Sequence, residues 1–177
     1  MEKILRIVLP LVIVLLSYLV YESVAKPVRE QKKIARMEAR IIEKLELIKT
    51  AQLTYRDKHN LFANDFDILI SALKDEKMPL IKVIGDPEDT LSTVIYDTSY
   101  IPLSEAAFGK TIINLDSLPF VPFNPQGAKF LMATDTIEKN GVGGIPVFEV
   151  SDPKPYNKKR TLKVGSLTEP VYTGNWE

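Results

Sequence analysis

The sequence predicts an α+β protein: an N-terminal transmembrane helix that continues into a helical stalk, then a small antiparallel β-sheet domain. Three observations predict it. The run from Ile7 to Tyr21 carries no charged side chain and is dominated by Ile, Val and Leu. Met37, Ile41, Leu45, Ile48, Gln52 and Tyr55 then recur at spacings of four and three, the period of one face of an α-helix. From Met78 on, prolines and turn residues break up short Val-, Ile- and Phe-rich runs, as they do between strands. The organisation expected is residues 1–25 as a transmembrane signal anchor, 26–77 as a stalk with a short second helix, and 78–177 as a β-rich domain.

The anchor has two readings. Its uncharged core of 15 residues is short for a spanning helix, which wants about 20, and close to the core length of a signal peptide. Ser23-Val24-Ala25 supplies the small residues that cleavage after Ala25 would use. An uncleaved anchor is favoured because Ile4 and Leu5 extend the apolar stretch, Arg6 can reach back to the interface, and Tyr18 and Tyr21 stand where interfacial aromatics belong. Glu22 is also a poor neighbour for a cleavage site.

Orientation divides the evidence. Lys26, Arg29, Lys32, Lys33, Arg36 and Arg40 follow the segment and outnumber Lys3 and Arg6 before it, a pattern that would hold the C-terminal bulk in the cytoplasm. A basic start, an apolar core and a small-residue exit are instead the order of an export signal, which delivers its C-terminal side across the membrane. The exported side is the expectation, with a cytoplasmic domain as the alternative.

After the anchor, Pro27 suits the first turn of a new helix, where its missing N–H costs nothing. The stalk helix should end at Lys58-His59-Asn60, with Asn60 in the left-handed closing position. Asn64 or Asp65 caps a second helix whose apolar face is Phe66, Leu69, Ile70 and Leu73. Strands are expected at Leu80–Ile84, Thr93–Tyr96, Phe130–Thr136, Ile145–Val150 and Leu162–Val164. Between the third and fourth, Asn140-Gly141 with Gly143-Gly144 signals a hairpin, since Asn-Gly accepts positive φ. The proline-rich stretch Leu118–Pro125 should cross the surface in extended form.

Composition excludes several functions. With 23 basic and 23 acidic residues, the chain has no bulk positive charge to draw nucleic acid. It has no cysteine, hence no disulfide, thiolate metal site or cysteine nucleophile. His59 is the single histidine and reads as a polar helix terminator, which leaves no histidine cluster for a metal and no base for a serine triad. Asp86-Pro87-Glu88-Asp89 lacks the alternating ligands of a calcium loop, and Gly141-Val142-Gly143-Gly144 leads into a strand where a phosphate loop needs a helix. No catalytic, cofactor-binding or metal-binding residue is assigned.

Four residues are the candidates for partner binding. Ile41, Ile48 and Tyr55 lie on the apolar stripe, which should cover the chain's own domain or pack on a partner helix. Trp176, the only tryptophan, is one residue from the end, where an uncovered ring gains nothing. Gly174-Asn175 before it can turn the ring back onto a surface.

The spine Leu47-Ile48, Ala51-Gln52, Tyr55, Asn60, Phe62 and Leu69, behind an apolar N-terminus, resembles that of type IV pilins and pseudopilins over about the first 75 residues. The chain has neither a glycine-phenylalanine prepilin cleavage site nor paired cysteines. A broader resemblance is to a family of uncharacterised single-pass envelope proteins of Gram-negative bacteria. It rests on Ala51-Gln52 to Asp67, on Ile137-Glu138-Lys139-Asn140-Gly141 with Ile145-Pro146-Val147-Phe148-Glu149, and on Lys163-Val164-Gly165-Ser166 to Trp176. The resemblance implies placement in the envelope and no activity. The expectation is a non-enzymatic, single-pass inner-membrane protein with a periplasmic interaction domain, a subunit of a larger envelope or secretion assembly. Its partners would be the lipid bilayer and other envelope membrane proteins, in a homo- or hetero-oligomer, with no nucleic acid. The alternative is a soluble exported protein, released after Ala25, that binds a peptide or polymer along a sheet edge.

Overall fold

A computed structural model describes residues 2–84, 95–124, 127–139, 142–157 and 159–177. The architecture is α+β, with a long N-terminal helix and small antiparallel sheets. Helix α1 (Glu2–His59) leads, followed by α2 (Phe66–Asp75), β1 (Lys77–Ile84), β2 (Ile95–Pro102), α3 (Leu103–Phe108), a short 3-10 turn at Leu115–Ser117, β3 (Leu131–Lys139), β4 (Val142–Ser151) and β5 (Lys163–Gly165). Packing divides the chain into two units, Met1–Ala39 and Arg40–Glu177, so this boundary falls inside α1.

In the first unit the helix is unbroken. Pro27 was expected to begin a new helix, yet it and Pro10 both lie inside α1. An interior proline loses one backbone bond, but Glu30, Gln31, Lys32, Lys33 and Ala35 are strong helix formers and carry the ladder past it. From Val8 to Val24 every side chain is exposed.

In the second unit the stripe on α1 builds the core. Ile41, Leu45, Ile48, Ala51 and Gln52 are buried there with Leu69 and Leu73 of α2 and with Phe148 and Val150 of β4. The helix closes as its sequence dictates: Asn60 takes φ 60° and its N–H donates to the Arg56 carbonyl at 2.7 Å. Asp65 caps α2 by accepting from the Asp67 N–H, and Phe66, Leu69, Ala72 and Leu73 form the buried face.

β1 and β2 form a separate two-stranded antiparallel ribbon, from Lys77 opposite Pro102 to Ile84 opposite Ile95. β3, β4 and β5 form a second sheet, antiparallel throughout. The first four predicted strands are longer than expected, the fifth keeps its length but starts one residue later, and Gly143-Gly144 belongs to β4 instead of to a loop. Lys139 pairs with Val142, while the Asn140-Gly141 turn, Asp86–Asp89 and Thr93 lie outside the described residues. Gly165 shows what one glycine permits: at φ 79°, a Cβ there would collide with the Phe148 carbonyl, so only glycine allows β5 this close to β4.

The stretch from Leu118 is more than a surface crossing. Leu118, Pro119 and Val121 are buried, the first two in succession right after the 3-10 turn at Leu115–Ser117, and Phe120 pairs with Lys129 in an isolated bridge. Helix α3 was not anticipated; it starts directly from β2 and buries Leu103.

Candidate interaction surfaces

The stripe is occupied by its own domain. Ile41 and Ile48 are 1% and 0% exposed, in a cluster drawn from α2, α3 and β4. The sequence left open whether they would cover this domain or meet a partner helix, and they do the former. Gln52, on the same stripe, is fully buried yet satisfied: its amide donates to the Ala63 carbonyl at 2.9 Å and accepts from the Ala63 N–H at 3.0 Å. One side chain thus ties the loop after α1 to the helix, supplying both main-chain groups of a buried residue.

Tyr55 is half-buried and stacks on His59, with ring centroids 4.2 Å apart. His59 Nε2 is 2.8 Å from a Glu76 carboxylate oxygen that Lys58 also meets at 2.6 Å. The hydrogen bond from Lys58 and the neighbouring His59 hold the Glu76 carboxyl below the ordinary glutamate value. This network fastens the end of α1 to the end of α2, which gives the single histidine a structural task. Arg56 lies over the rings of Phe62 and Tyr172 at 5.7 and 5.3 Å, and those rings cluster with Phe148.

The C-terminal segment returns to the sheet. Asn175 donates from its backbone to the Lys163 carbonyl at 3.0 Å, accepts from the Lys163 N–H at 3.1 Å, and donates from its amide to the Thr161 carbonyl at 2.7 Å. Trp176 is therefore ordered: half-buried, packed on the core, its ring folded against Gly174 so closely that any side chain there would clash. Glu177 reaches Lys49 of α1 at 3.3 Å. Burial pulls the Lys49 ammonium down, but the carboxylates of Glu46 and Glu177 outweigh it and leave the group above its usual value.

Two charged features were not foreseen. Asp152 is 1% exposed; one carboxylate oxygen accepts from the Lys154 N–H at 2.9 Å and the other has no partner. Burial pushes its carboxyl above the usual aspartate value, against the pull of that backbone bond. A surface groove of about 430 Å³ beside α2 is lined by Asp67, Lys74, Asp116, Phe120 and Lys129. Two of its charges pair, Lys74 with Asp116 at 2.6 Å, and Lys129 lies 5.6 Å from the centre of the Phe120 ring. Among the described residues no group of three or more His, Cys, Asp or Glu side chains could hold a metal ion.

The largest exposed apolar side chains of the second unit include a group on the ribbon that the sequence did not single out. Leu80, Ile81 and Tyr100 are 53, 59 and 67% exposed, while Met78 and Ile101 near its base are half-buried. These residues read as ordinary strand in the sequence, and what distinguishes them is that no described residue covers them.

No protein-family model, curated protein or solved structure matches this chain.

Proposed function

We propose that the protein is a non-enzymatic, single-pass inner-membrane protein whose C-terminal domain is a periplasmic interaction module, a subunit of a larger envelope or secretion assembly. One observation carries the membrane part of this reading: α1 carries no charged side chain from Val8 to Tyr21, its apolar side chains lie all around the helix, and none of that stretch is covered by the described residues. The mean hydropathy there reaches 2.1. A helix apolar on all sides belongs in a protein interior or in lipid, and the described chain supplies no interior for this one. The likeness to pilins and to single-pass envelope proteins supports the role of an assembly subunit. The interaction role draws on the exposed apolar ribbon.

The experiment is a pair of fractionations on the full chain. Membranes washed with alkaline carbonate should retain the protein, and a reporter active only outside the cytoplasm should work when fused after Glu177. Release by carbonate defeats the anchor; activity of a cytoplasmic reporter alone defeats the exported orientation. Ser23-Val24-Ala25 favours a second reading, a soluble exported binding protein cleaved after Ala25, and an intact mass short by the first 25 residues would establish it.

A further inference from the structure

The two sheets expose four outer edges, and the hydrogen-bond phase of each ladder tells which can accept another strand. Narrow, bonded pairs alternate with wide ones along an antiparallel ladder. In the ribbon, the Leu103 N–H donates to the Glu76 carbonyl one step beyond the Lys77–Pro102 pair. The main-chain groups of Met78, Leu80 and Lys82 therefore bond Ile101, Ser99 and Asp97, while those of Pro79, Ile81, Thr98 and Tyr100 point outward. Both prolines of the ribbon, Pro79 and Pro102, fall in outward positions, as a residue without an N–H must.

Three edges are closed or blunted. Pro79 interrupts the edge of β1 at its outward position. β5 is covered by the C-terminal segment, through Gly165 N–H to Thr173 at 3.1 Å and Asn175 N–H to Lys163 at 3.0 Å. On β3 the same reasoning from the Asp152–Leu162 bond turns Met132, Thr134 and Thr136 outward, and the Asp135 carboxylate folds onto the Thr136 N–H at 2.7 Å, placing a charge on that edge. The edge of β2 has its proline only at its last residue, Pro102, and among the described residues its middle, at Thr98 and Tyr100, carries none of these devices.

We propose that the outer edge of β2 pairs antiparallel with β2 of a second copy of the chain, about a two-fold axis through Thr98. The inference deepens the interaction-module reading and rests on it. The strand complements itself. Asp97 is the single charge in Ile95–Pro102, and a centre at Thr98 sets it opposite Ser99 of the copy, so no like charges meet. Ladder pairing over 95–101 of both strands would form about six backbone hydrogen bonds. It would extend the exposed side carrying Ile81, Thr98 and Tyr100 across both copies. It also converts a two-stranded ribbon, marginal by itself, into a four-stranded sheet. Antiparallel pairing sets the two copies of Pro102 eight positions apart, roughly 27 Å at about 3.4 Å per residue, which leaves room for both domains.

The chain has no cysteine, so single cysteines report the register directly. In the full chain in its membranes, Thr98→Cys should give a disulfide-linked homodimer on mild oxidation, because a bonded antiparallel pair holds the two Cα atoms about 5.5 Å apart. Leu80→Cys, on the far strand, should give none. Thr98→Pro should abolish the dimer seen by light scattering in detergent and leave domain melting unchanged, since it removes an outward N–H that β1 does not use. Should Thr98→Pro also unfold the domain, the cysteine pattern decides. A monomeric wild type, equal linking from position 80, or a Thr98→Cys chain that links to a different protein overturns the proposal. Carbonate extraction of the same membranes keeps the two ideas separate: a washed-off chain that still links through position 98 loses its anchor and keeps its strand pairing.

Discussion

Two stretches of α1 use the same amino acids to opposite ends. Between Val8 and Val24, apolar side chains cover every side of the helix and all are exposed; between Ile41 and Gln52, Ile41, Leu45, Ile48 and Gln52 form one buried stripe while Arg40 and Glu43 pair at 2.9 Å in solvent. The difference lies in where polar side chains stand: Glu43, Lys44, Glu46 and Lys49 occupy the other faces of the second stretch, and no charge interrupts the first from Val8 to Tyr21. A period of 3.6 sorts side chains between a protein core and water, whereas uniform apolarity asks for one solvent on all sides. That teaches where to look for each stretch's partner: the second has found its own in α2 and β4, and none of the described residues covers the first.

The sharpest way to break this contrast is to place the same charge in both stretches. Ile48→Asp buries an unpaired carboxylate in a full core and should cost more than about 4 kcal/mol, enough to unfold the domain in a thermal melt. Ile41→Asp should act likewise. Leu15→Asp should leave the melting of the domain unchanged and lower recovery in carbonate-washed membranes. If Leu15→Asp destabilises the domain as much as Ile48→Asp, the N-terminal stretch is core and the contrast fails.

The buried stretch was the legible one. Its spacing, the Asn60 closing residue and the Asp65 cap are local signals, and each appears where the sequence puts it. Local signals failed where distant residues decide. Pro27 reads as a helix start because nothing local shows the ladder continuing through it. Leu118 and Val121 read as surface because their burial depends on elements far along the chain. The ribbon was harder still: its strands are visible in sequence, but the phase that turns Thr98 outward depends on pairing residues 11 to 25 positions apart. Of the four candidate partner residues, Ile41 and Ile48 were found as an apolar face whose occupant could not be read, and Trp176 as a ring in need of cover.

A smaller perturbation sharpens the core side of the contrast. Gln52→Leu keeps bulk on the stripe but strips the Ala63 N–H and carbonyl of their partner. Each buried group left unpaired costs about 1–3 kcal/mol, so the variant should lose about 2–4 kcal/mol in denaturant titration. A loss below about 1 kcal/mol would mean that water reaches Ala63 and that this end of the stripe is wet.

The C-terminal segment tests how far the core extends past the sheet. Deleting residues 175–177 removes three hydrogen bonds of Asn175, the Trp176 contact and the Glu177–Lys49 pair. The expected cost is about 4 kcal/mol, from three neutral hydrogen bonds worth about 1 kcal/mol each and a half-buried ring worth about as much again, with little from the exposed ion pair. Trp176 fluorescence, which reports on this site alone, should be blue-shifted in the isolated wild-type protein. Water-like emission together with unchanged melting would show the segment to be detached.

The finest probe is pH, acting through Asp152. Burial leaves one oxygen of this carboxylate without a partner and raises its pKa in the folded state, so folding favours the protonated form. The folded chain then binds more protons than the unfolded one between the ordinary aspartate value near 3.8 and the raised value, and stability falls as pH rises through that window. Above it the full penalty is present; below 3.8 it is absent. Asp152→Asn keeps an acceptor for the Lys154 N–H and cannot ionise. Wild type and variant should therefore differ in slope: from neutral pH down toward about 4, the melting temperature of the wild type should gain on that of Asp152→Asn, with Glu76 and the other acids common to both. Parallel curves would mean that water or a counter-charge already satisfies the second oxygen, and that the buried stretch of α1 faces a core less dry than the exposures of Ile41 and Ile48 imply.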